Sequence, residues 1–373
     1  MTEEVAHPII RTSTPMRTLD NLDDVTGVVV FPDRRRMATS SRDGFLRVWN
    51  LKAGVMLKEM DVRGQAMRDI ALSRDGQWIA SCDCGGYVIA WHGDTLTEAF
   101  RAHSNATSLE FSPDGAILAI GSYRSTELWS TKTWQRQGEP LDSNMESHSR
   151  TQIYCRRYSP SGELLAIATE RNIQIWNPVT KRRIVSLDLS VDTHSLVWKP
   201  DGTRLLSADN SIVREWDSST WKEVGCSTLW KGDDGSFTQC IAVNCNGTLV
   251  AFPTTDNHVR LLRLSDQRTI AIFRHSDSSR CIAFSVNGKH VLAGGKDKKI
   301  SEWAVPEHAW PDLEDTVKYQ ATHQVCSYLF SIHSSFHFVL VPRFNPVTPT
   351  FKTMIPRLRT LKARHVLHPS VLW

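Results

Sequence analysis

The stretch 284–303, "FSVNGKHVLAGGKDKKISEW", contains a tight turn, an apolar strand, a second turn and a strand that ends on Trp303. Residues 111–129, "FSPDGAILAIGSYRSTELW", have the same order. Asn-Gly and Pro-Asp-Gly favour tight turns, and short apolar runs between such turns favour strands. A chain that repeats such a unit at long range stacks several copies around a shared core, because one copy cannot bury its own faces.

The unit occurs seven times along the chain. Its opening turns are "FPDRR", "LSRDG", "FSPDG", "YSPSG", "WKPDG", "VNCNG" and "FSVNG". Each turn leads to a closing position, and these positions are Trp49, Trp91, Trp129, Trp176, Trp216, Leu262 and Trp303. Successive closing positions lie 38 to 47 residues apart, which leaves room for four short strands per copy. The sequence therefore predicts an all-β fold built from seven small sheets.

The order of turn, strand, Asp, strand and Trp resembles the WD-repeat (WD40) β-propeller family, although only Trp216-Asp217 keeps the literal dipeptide. The resemblance implies a seven-bladed propeller of four-stranded antiparallel blades. In this family an N-terminal strand completes the last blade, and "IIRTSTPMRTLDN" (9–21) resembles an outer strand without a blade of its own. We therefore expect residues 9–21 in blade seven, which leaves no open sheet edge where the ring closes.

Composition divides the chain into three parts: an N-terminal extension (1–8), the propeller (9–305) and a non-repeat tail (306–373). The segment 316–373 contains seven Lys or Arg and no Asp or Glu, so the formal +4 of the whole chain leaves residues 1–315 slightly acidic. That balance argues against sequence-specific nucleic-acid binding by the propeller. The basic tail is either an interaction arm, expected to be disordered, or an artefact of gene prediction.

The sequence offers no convincing catalytic or metal site. It contains no GxGxxG, GxxxxGK, HExxH or GxSxG motif, and its eight Cys form no CxxC pair. In the WD40 family a His, a turn Asp and the closing Trp bond one another inside a blade, so His275 and Asp297 beside Trp303 are expected to be structural. We predict no catalytic residue, no metal and no cofactor. The structural signature implied by the resemblance is Trp49, Trp91, Trp129, Trp176, Trp216, Trp303, Asp43, Asp256, Asp297, His148 and His275.

A propeller without chemistry acts through its faces, and the resemblance places partner binding on the narrower face. The residue before each turn Asp points there, which gives Arg42, Cys84, Ser122, Thr169, Asp209, Thr255 and Lys296. The start of each innermost strand also points there, which gives Gly27, Arg68, Thr107, Tyr154, His194, Gln239 and Arg280, with Asp192 and Phe237 just before. The predicted partner-binding set is Arg42, Arg68, Tyr154, His194, Phe237, Gln239, Arg280 and Lys296.

These residues favour a scaffold that binds partner proteins or peptides, with Arg and Tyr as anchors and with acidic or phosphorylated partners on the basic side. One alternative is a substrate receptor of a ubiquitin ligase, although Trp216-Asp217-Ser218-Ser219 lacks the Arg of the Trp-Asp-x-Arg motif. Another is a propeller enzyme that binds a small ligand or quinone. Scattered Cys and the lack of a signal pattern or an apolar span predict a cytoplasmic or nuclear protein, plausibly a subunit of a larger complex.

Overall fold

The structure is a computed structural model that describes residues 8–310, except 63–64, 123–124, 143–152, 190–191, 210–211, 225–229, 232–237 and 239. The repeat begins with a capped turn, which blade two illustrates. Gly76 has a φ of 73°, and Asp75 Oδ1 accepts hydrogen bonds from Gln77 N and Ser73 Oγ at 2.9 and 2.6 Å. The turn thus satisfies its own polar groups and aligns the two strands that follow from it.

Two short strands precede the blades, β1 (Ile10–Thr12) and β2 (Arg17–Asp20). Blade one contains β3 (Val25–Val30), β4 (Arg36–Ser41), β5 (Phe45–Asn50) and β6 (Val55–Asp61). Blade two contains β7 (Met67–Leu72), β8 (Trp78–Asp83), β9 (Tyr87–His92) and β10 (Glu98–His103). Blade three contains β11 (Ser108–Phe111), β12 (Ile117–Gly121), β13 (Ser125–Ser130) and β14 (Leu141–Asp142).

The second half of the ring repeats this plan. Blade four contains β15 (Ile153–Tyr158), β16 (Leu165–Thr169), β17 (Asn172–Asn177) and β18 (Arg182–Asp188). Blade five contains β19 (Thr193–Trp198), β20 (Arg204–Asp209), β21 (Ile212–Asp217) and β22 (Trp230–Lys231). Blade six contains β23 (Ala242–Val243), β24 (Leu249–Thr254), β25 (His258–Arg263) and β26 (Thr269–Arg274). Blade seven contains β27 (Ser279–Phe284), β28 (His290–Gly295) and β29 (Lys299–Ala304), followed by a single 3-10 turn (Glu307–Ala309).

These sheets form a closed ring, which confirms the predicted seven-bladed propeller. The first strand of each blade contacts the first strands of its two neighbours, and β27 of blade seven closes the circle on β3 of blade one. The inner strands are largely buried, and that of blade one, the "VTGVVV" of β3, is inaccessible to solvent throughout. Each fully buried Val, Leu or Ile contributes about 1.5–3 kcal/mol, so the stacked inner strands provide most of the core.

The N-terminal segment closes the ring in two pieces rather than one. Strand β2 pairs antiparallel with β29 and forms the outer strand of blade seven, as expected from the sequence. Strand β1, however, pairs in parallel with β26 and adds a fifth strand to blade six. The short link between them spans two neighbouring blades. The N-terminal segment therefore covers the outer edges of both blade six and blade seven.

One buried arginine joins blades three and four. Arg156 of β15 is inaccessible to solvent, and its guanidinium donates to Thr126 Oγ1, Ser108 Oγ and the carbonyls of Ser122 and Ser125 at 2.6–3.1 Å. A Cβ on the neighbouring Gly121 would lie 1.7 Å from Arg156 Cζ. Gly121 is therefore required because a side chain at this point would occupy the space of the guanidinium.

Candidate functional site

The strand order gives the propeller two distinct ends. We call the end that carries the turns between second and third strands, together with the starts of the first strands, the upper face. The other end, which carries the turns between first and second strands and between third and fourth strands, is the lower face. Six of the sequence-based partner-binding residues are described, and by their positions in the first strands or in the turns they belong to the upper face: Arg42, Arg68, Tyr154, His194, Arg280 and Lys296.

A β-bulge lies at the start of the first strand in five blades. The extra residues are Thr26, Arg68, Tyr154, His194 and Arg280. A bulge of this kind turns one side chain away from the regular alternation and is common at rims and binding sites. Four of the eight predicted partner-binding residues are thus bulge residues. In blade one the bulge residue is Thr26 rather than Gly27, because the register is shifted by one residue from the expected spacing.

The turns between second and third strands have two lengths. Three residues separate these strands in blades one, two, three, six and seven, as at residues 42–44 and 296–298, whereas blades four and five have two. Counting back from the closing Trp therefore misplaced Thr169 and Asp209. Both are buried at the ends of second strands, with 0% and 2% of their surface exposed, so they do not line the upper face. Asp209 instead bonds to Arg214 within blade five.

Blades seven and one carry a basic arc on the upper face. The Arg42 side chain is 60% exposed, and Lys296 is also exposed. Arg280 is more enclosed, with 15% of its side chain exposed. Both guanidinium groups approach Asp24 Oδ2, at 3.7 Å from Arg42 Nη1 and 3.4 Å from Arg280 Nη2. One carboxylate thus holds two arginines close together, and Lys296 adds a further positive charge.

Arg68, from blade two, is the fourth predicted basic residue and lies at its bulge, partly exposed. Beside the arc, Lys298 Nζ lies 3.6 Å from Asp23 Oδ1. Asp23 and Asp24 pair with Lys298, Arg42 and Arg280, whereas Asp43 and Asp297 of the same turns bond inside their own blades. Since exposed arginines bind carboxylates and phosphates through paired hydrogen bonds, the arc has the chemistry of an anion-recognition surface.

Blades four and five carry an aromatic and acidic arc. The Tyr154 hydroxyl donates to Asp192 Oδ2 at 3.2 Å, and the rings of Tyr154 and His194 meet edge to face with centroids 4.9 Å apart. Burial, together with the charges of Asp192 and Glu170, raises the pKa of Tyr154, so the phenol remains protonated. This side of the upper face therefore presents aromatic rings beside the carboxylate of Asp192. Phe237 and Gln239, predicted beside this arc, lie outside the described residues.

The predicted His–Asp–Trp group of blade seven is assembled inside the blade. His275 is buried, with Nδ1 3.3 Å from Asp297 Oδ2 and 3.0 Å from the carbonyl oxygen of Asp277. The ring of Trp303 lies 5.7 Å away between centroids. Among the described residues, neither His275 Nε2 nor Trp303 Nε1 has a hydrogen-bond partner. This geometry supports a structural role and leaves the blade's polar network incomplete. His148 lies outside the described residues.

The other closing tryptophans use different partners. Trp49 and Trp216 donate their indole N–H groups to Thr39 Oγ1 and Ser207 Oγ, both at 2.9 Å. Trp129 and Trp176 donate to the side chains two residues earlier, Glu127 and Gln174. Trp91 is buried in the same position of its blade, with 4% of its surface exposed.

An arginine takes the place of the histidine in blade one. Arg47 is 1% exposed and bonds to Asp43 Oδ2 and Glu59 Oε2, both at 2.7 Å. Although burial raises the pKa of Asp43, hydrogen bonds from Arg47 and Ser41 lower it overall, so the carboxylate stays charged. Blade six pairs Asp256 with an arginine in the same way. The sequence analysis missed these pairs, although Asp followed four residues later by Arg recurs in both turns.

Weaker candidates gain no support from the structure. Within the described residues, no group of three or more His, Cys, Asp or Glu side chains is placed to hold a metal ion. Cys82 is buried and Cys84 exposed, so the two thiols do not form one site. Apart from Lys231, the "KGDDGS" loop lies outside the described residues. A helix long and apolar enough to cross a membrane was not found in the described part of the chain.

Five segments of the chain match a known repeat family, described as "WD domain, G-beta repeat". They comprise residues 13–50, 58–92, 94–130, 138–177 and 267–303, and together cover half of the chain. Residues 178–266, between the fourth and fifth of these segments, contain blade five and most of blade six. There, the blades are evident from their strand order rather than from the repeat profile.

Several known proteins are similar over part of the chain. Mouse telomerase protein component 1 is 29% identical over 115 residues, which is 30% of this chain and 4% of that protein. Protein groucho of Drosophila melanogaster is 27% identical over 139 residues, or 35% and 18% of the two chains. Transcription factor unc-37 of Caenorhabditis elegans is 32% identical over 110 residues, or 28% and 17%. The chain thus spans less than a fifth of the length of these relatives.

The propeller domain of Cps50 (Swd1) from Myceliophteria thermophila has a similar solved structure. It superposes with a TM-score of 0.70 at 17% identity, covering 79% of this chain and all of that domain. At this identity the similarity concerns the fold alone.

Proposed function

The chain belongs to the WD40 repeat family, and from that premise we propose that it is a non-enzymatic scaffold that binds partner proteins on the upper face of its propeller. The observation that carries the proposal is the set of bulges at the starts of the first strands. They turn Arg68, Tyr154, His194 and Arg280 out of the regular strand pattern at equivalent points of four blades. Arg68, His194 and Arg280 are partly exposed, whereas Tyr154 is buried and its ring packs against His194. Exposed arginine on a rigid rim is a side chain that anchors protein interfaces.

The charge of the upper face supports a particular class of partner. The basic arc of Arg42, Arg280 and Lys296 favours an acidic or phosphorylated segment. Asp24 lies between the two arginines and holds both guanidinium groups in place on this rim. The proposed partner therefore carries a cluster of negative charge.

A non-catalytic role agrees with the polar groups inside the blades. His275 and Asp297 contact each other, His275 also contacts the Asp277 carbonyl, and Asp297 accepts a hydrogen bond from Ser276 Oγ, so both are bonded within the blade. Asp217, which follows Trp216, accepts hydrogen bonds from Ser219 and Thr220 and so caps its own turn. These contacts provide no support for the enzyme or ligase-receptor alternatives.

The proposed location is the cytoplasm or the nucleus. All described cysteines are free thiols, of which Cys82, Cys155, Cys240 and Cys281 are buried. A chain that leaves so many thiols unpaired suits a reducing compartment. One similar protein, unc-37, is named a transcription factor, which is consistent with a nuclear location.

The test is a quantitative affinity capture from the source cells with three forms of the protein. The first is wild type and the second carries Arg42→Glu and Lys296→Glu, two exposed positions of the basic arc. The third carries Lys132→Glu and Arg182→Glu, which make the same charge change at exposed positions away from the upper face. We expect partners to be lost only from the second form. If both variants retain the wild-type partners, the basic arc is not the binding surface.

A further inference from the structure

A cavity of about 180 Å³ opens on the lower face at the seam between blades seven and one. Its apolar lining comes from both blades: Val30 and Leu51 from blade one, and Val286 and Leu292 from blade seven. Val30 and Leu292 are buried core residues of the adjoining strands. Ser285, Asn287 and His290 of blade seven also line the cavity, so polar side chains surround an apolar floor that reaches the core where the ring closes.

Arg34 also lines this cavity, and it stands at a turn position where the other copies of the repeat have a different residue. Its φ is 60°, and the equivalent turn residue in the other six blades is glycine: Gly76, Gly115, Gly162, Gly202, Gly247 and Gly288. A left-handed backbone strains a side-chain-bearing residue and suits glycine. The fold alone thus favours glycine here, and such strain is concentrated at functional sites.

The charge at the rim of the cavity has a definite sign. Glu302, the only carboxylate among the lining residues, accepts hydrogen bonds from Arg17 Nε and Nη2 at 3.0 and 2.5 Å, so its charge is compensated. Arg34 is exposed, and among the described residues no carboxylate lies within ion-pair distance of it. The cavity therefore combines an apolar floor with an uncompensated positive charge at its mouth.

We propose that this cavity is a second docking site, which receives one apolar side chain of a partner protein whose neighbouring carboxylate binds Arg34. An apolar cavity of about 150 Å³ is large enough for benzene, so this one accommodates a Leu or Phe side chain. The occupant is thus an extended segment in which Leu or Phe lies next to Asp or Glu. This site is on the face opposite the basic arc, so the proposal does not depend on the proposed function of the upper face.

The proposal is tested with a phage-displayed library of random dodecapeptides, selected on the full-length protein. We expect enriched peptides in which Leu or Phe adjoins Asp or Glu. Synthetic versions of the enriched peptides should bind Arg34→Gly about tenfold more weakly, or worse, as a charged hydrogen bond is lost. They should bind Arg35→Ala as wild type, because Arg35 is an exposed neighbour of Arg34 that does not line the cavity. Val286→Phe, which fills the cavity, should also abolish binding.

Two outcomes would overturn the proposal: a selection that enriches no apolar–acidic motif, or enriched peptides that bind Arg34→Gly and Val286→Phe as tightly as wild type. Weaker peptide binding by Arg34→Gly would not be due to unfolding, because this variant has glycine at the turn position where the other blades have it. Its midpoint of thermal unfolding should equal or exceed that of wild type. A lower midpoint would show that Arg34 serves the fold, which also contradicts the proposal.

Discussion

Two contacts between neighbouring blades solve the same packing problem in different ways. Between blades three and four, Arg156 is fully buried with four hydrogen-bond partners, and Gly121 leaves room for its guanidinium. At the seam between blades seven and one, a cavity of about 180 Å³ remains open between the two blades. The first contact is saturated with polar bonds, whereas the second keeps open space.

The difference separates a contact that serves stability from one that is open to binding. Burial lowers the pKa of Arg156 to about 10, which still leaves its guanidinium charged at neutral pH. A buried charge with all its partners fixes one arrangement of the two blades, and removing any partner is costly. The seam, where β2 and β29 close the ring from separate pieces of chain, is joined instead by the partly exposed Arg280–Asp24 ion pair. It therefore tolerates an open recess and a strained turn.

The largest effect is expected for Gly121→Ala. The added Cβ would lie 1.7 Å from Arg156 Cζ, so the guanidinium would have to leave its partners. We expect the free energy of unfolding to fall by about 3–5 kcal/mol, measured by urea denaturation. Gly85→Ala is the control, because its new Cβ would meet no atom closer than 3.2 Å. Equal stability of the two variants would show that the hydrogen bonds of Arg156 do not stabilise the contact between blades three and four.

A pH-dependent effect is expected at the same contact. Burial raises the pKa of Glu110 to about 7, although Arg157 and Arg74 act to lower it. The folded protein therefore binds more protons than the unfolded chain between about pH 4.5 and 7, and its stability falls as pH rises through that window. Glu110→Gln should reduce this fall by up to about 3 kcal/mol, measured by urea denaturation at pH 5 and pH 8.

Glu163→Gln provides the control for this titration, because Glu163 is exposed. It should leave the pH dependence unchanged. Asp69 is buried and its pKa is raised as well, so part of the slope should persist in Glu110→Gln. An unaltered slope in Glu110→Gln would mean that Glu110 is ionised in the folded protein and that the contact is more solvated than described.

A smaller effect compares two closing tryptophans. Trp216→Phe leaves the buried Ser207 hydroxyl without its donor, whereas Trp303→Phe removes an N–H that has no partner. Both substitutions remove a similar volume. We therefore expect Trp216→Phe to lower the free energy of unfolding by about 1 kcal/mol more than Trp303→Phe. The reverse order would indicate that the polar groups of blade seven are as well satisfied as those of blade five.

The fold could be predicted from the sequence because its signal is repeated seven times. Turn residues and closing positions recur along the chain, so one departure, such as Leu262 at a closing position, does not hide the repeat. The bulge residues were found for the same reason, since Tyr154, His194 and Arg280 recur at equivalent points. The periodicity of the sequence therefore identifies the structural features that the blades have in common.

The misses concern features that only one or two blades have. Thr169 and Asp209 were placed on the upper face because counting from the closing Trp assumes one turn length, and blades four and five have shorter turns. The pairing of β1 with blade six depends on the tertiary position of a three-residue strand, which no repeat predicts. The sequence places Arg156 in a strand but does not show that it is buried. Its burial is evident only in the structure, beside Gly121 of the neighbouring blade.

The central claim is that partners bind the upper face along the basic arc. The most direct test is amide hydrogen exchange of the protein alone and in the complex that wild type captures from its source cells. We predict slower exchange on binding at the turns 42–44 and 296–298 and at the start of β27, around Arg280. Unchanged exchange at these three places, with slowing confined to the outer strands or the lower face, would contradict the claim.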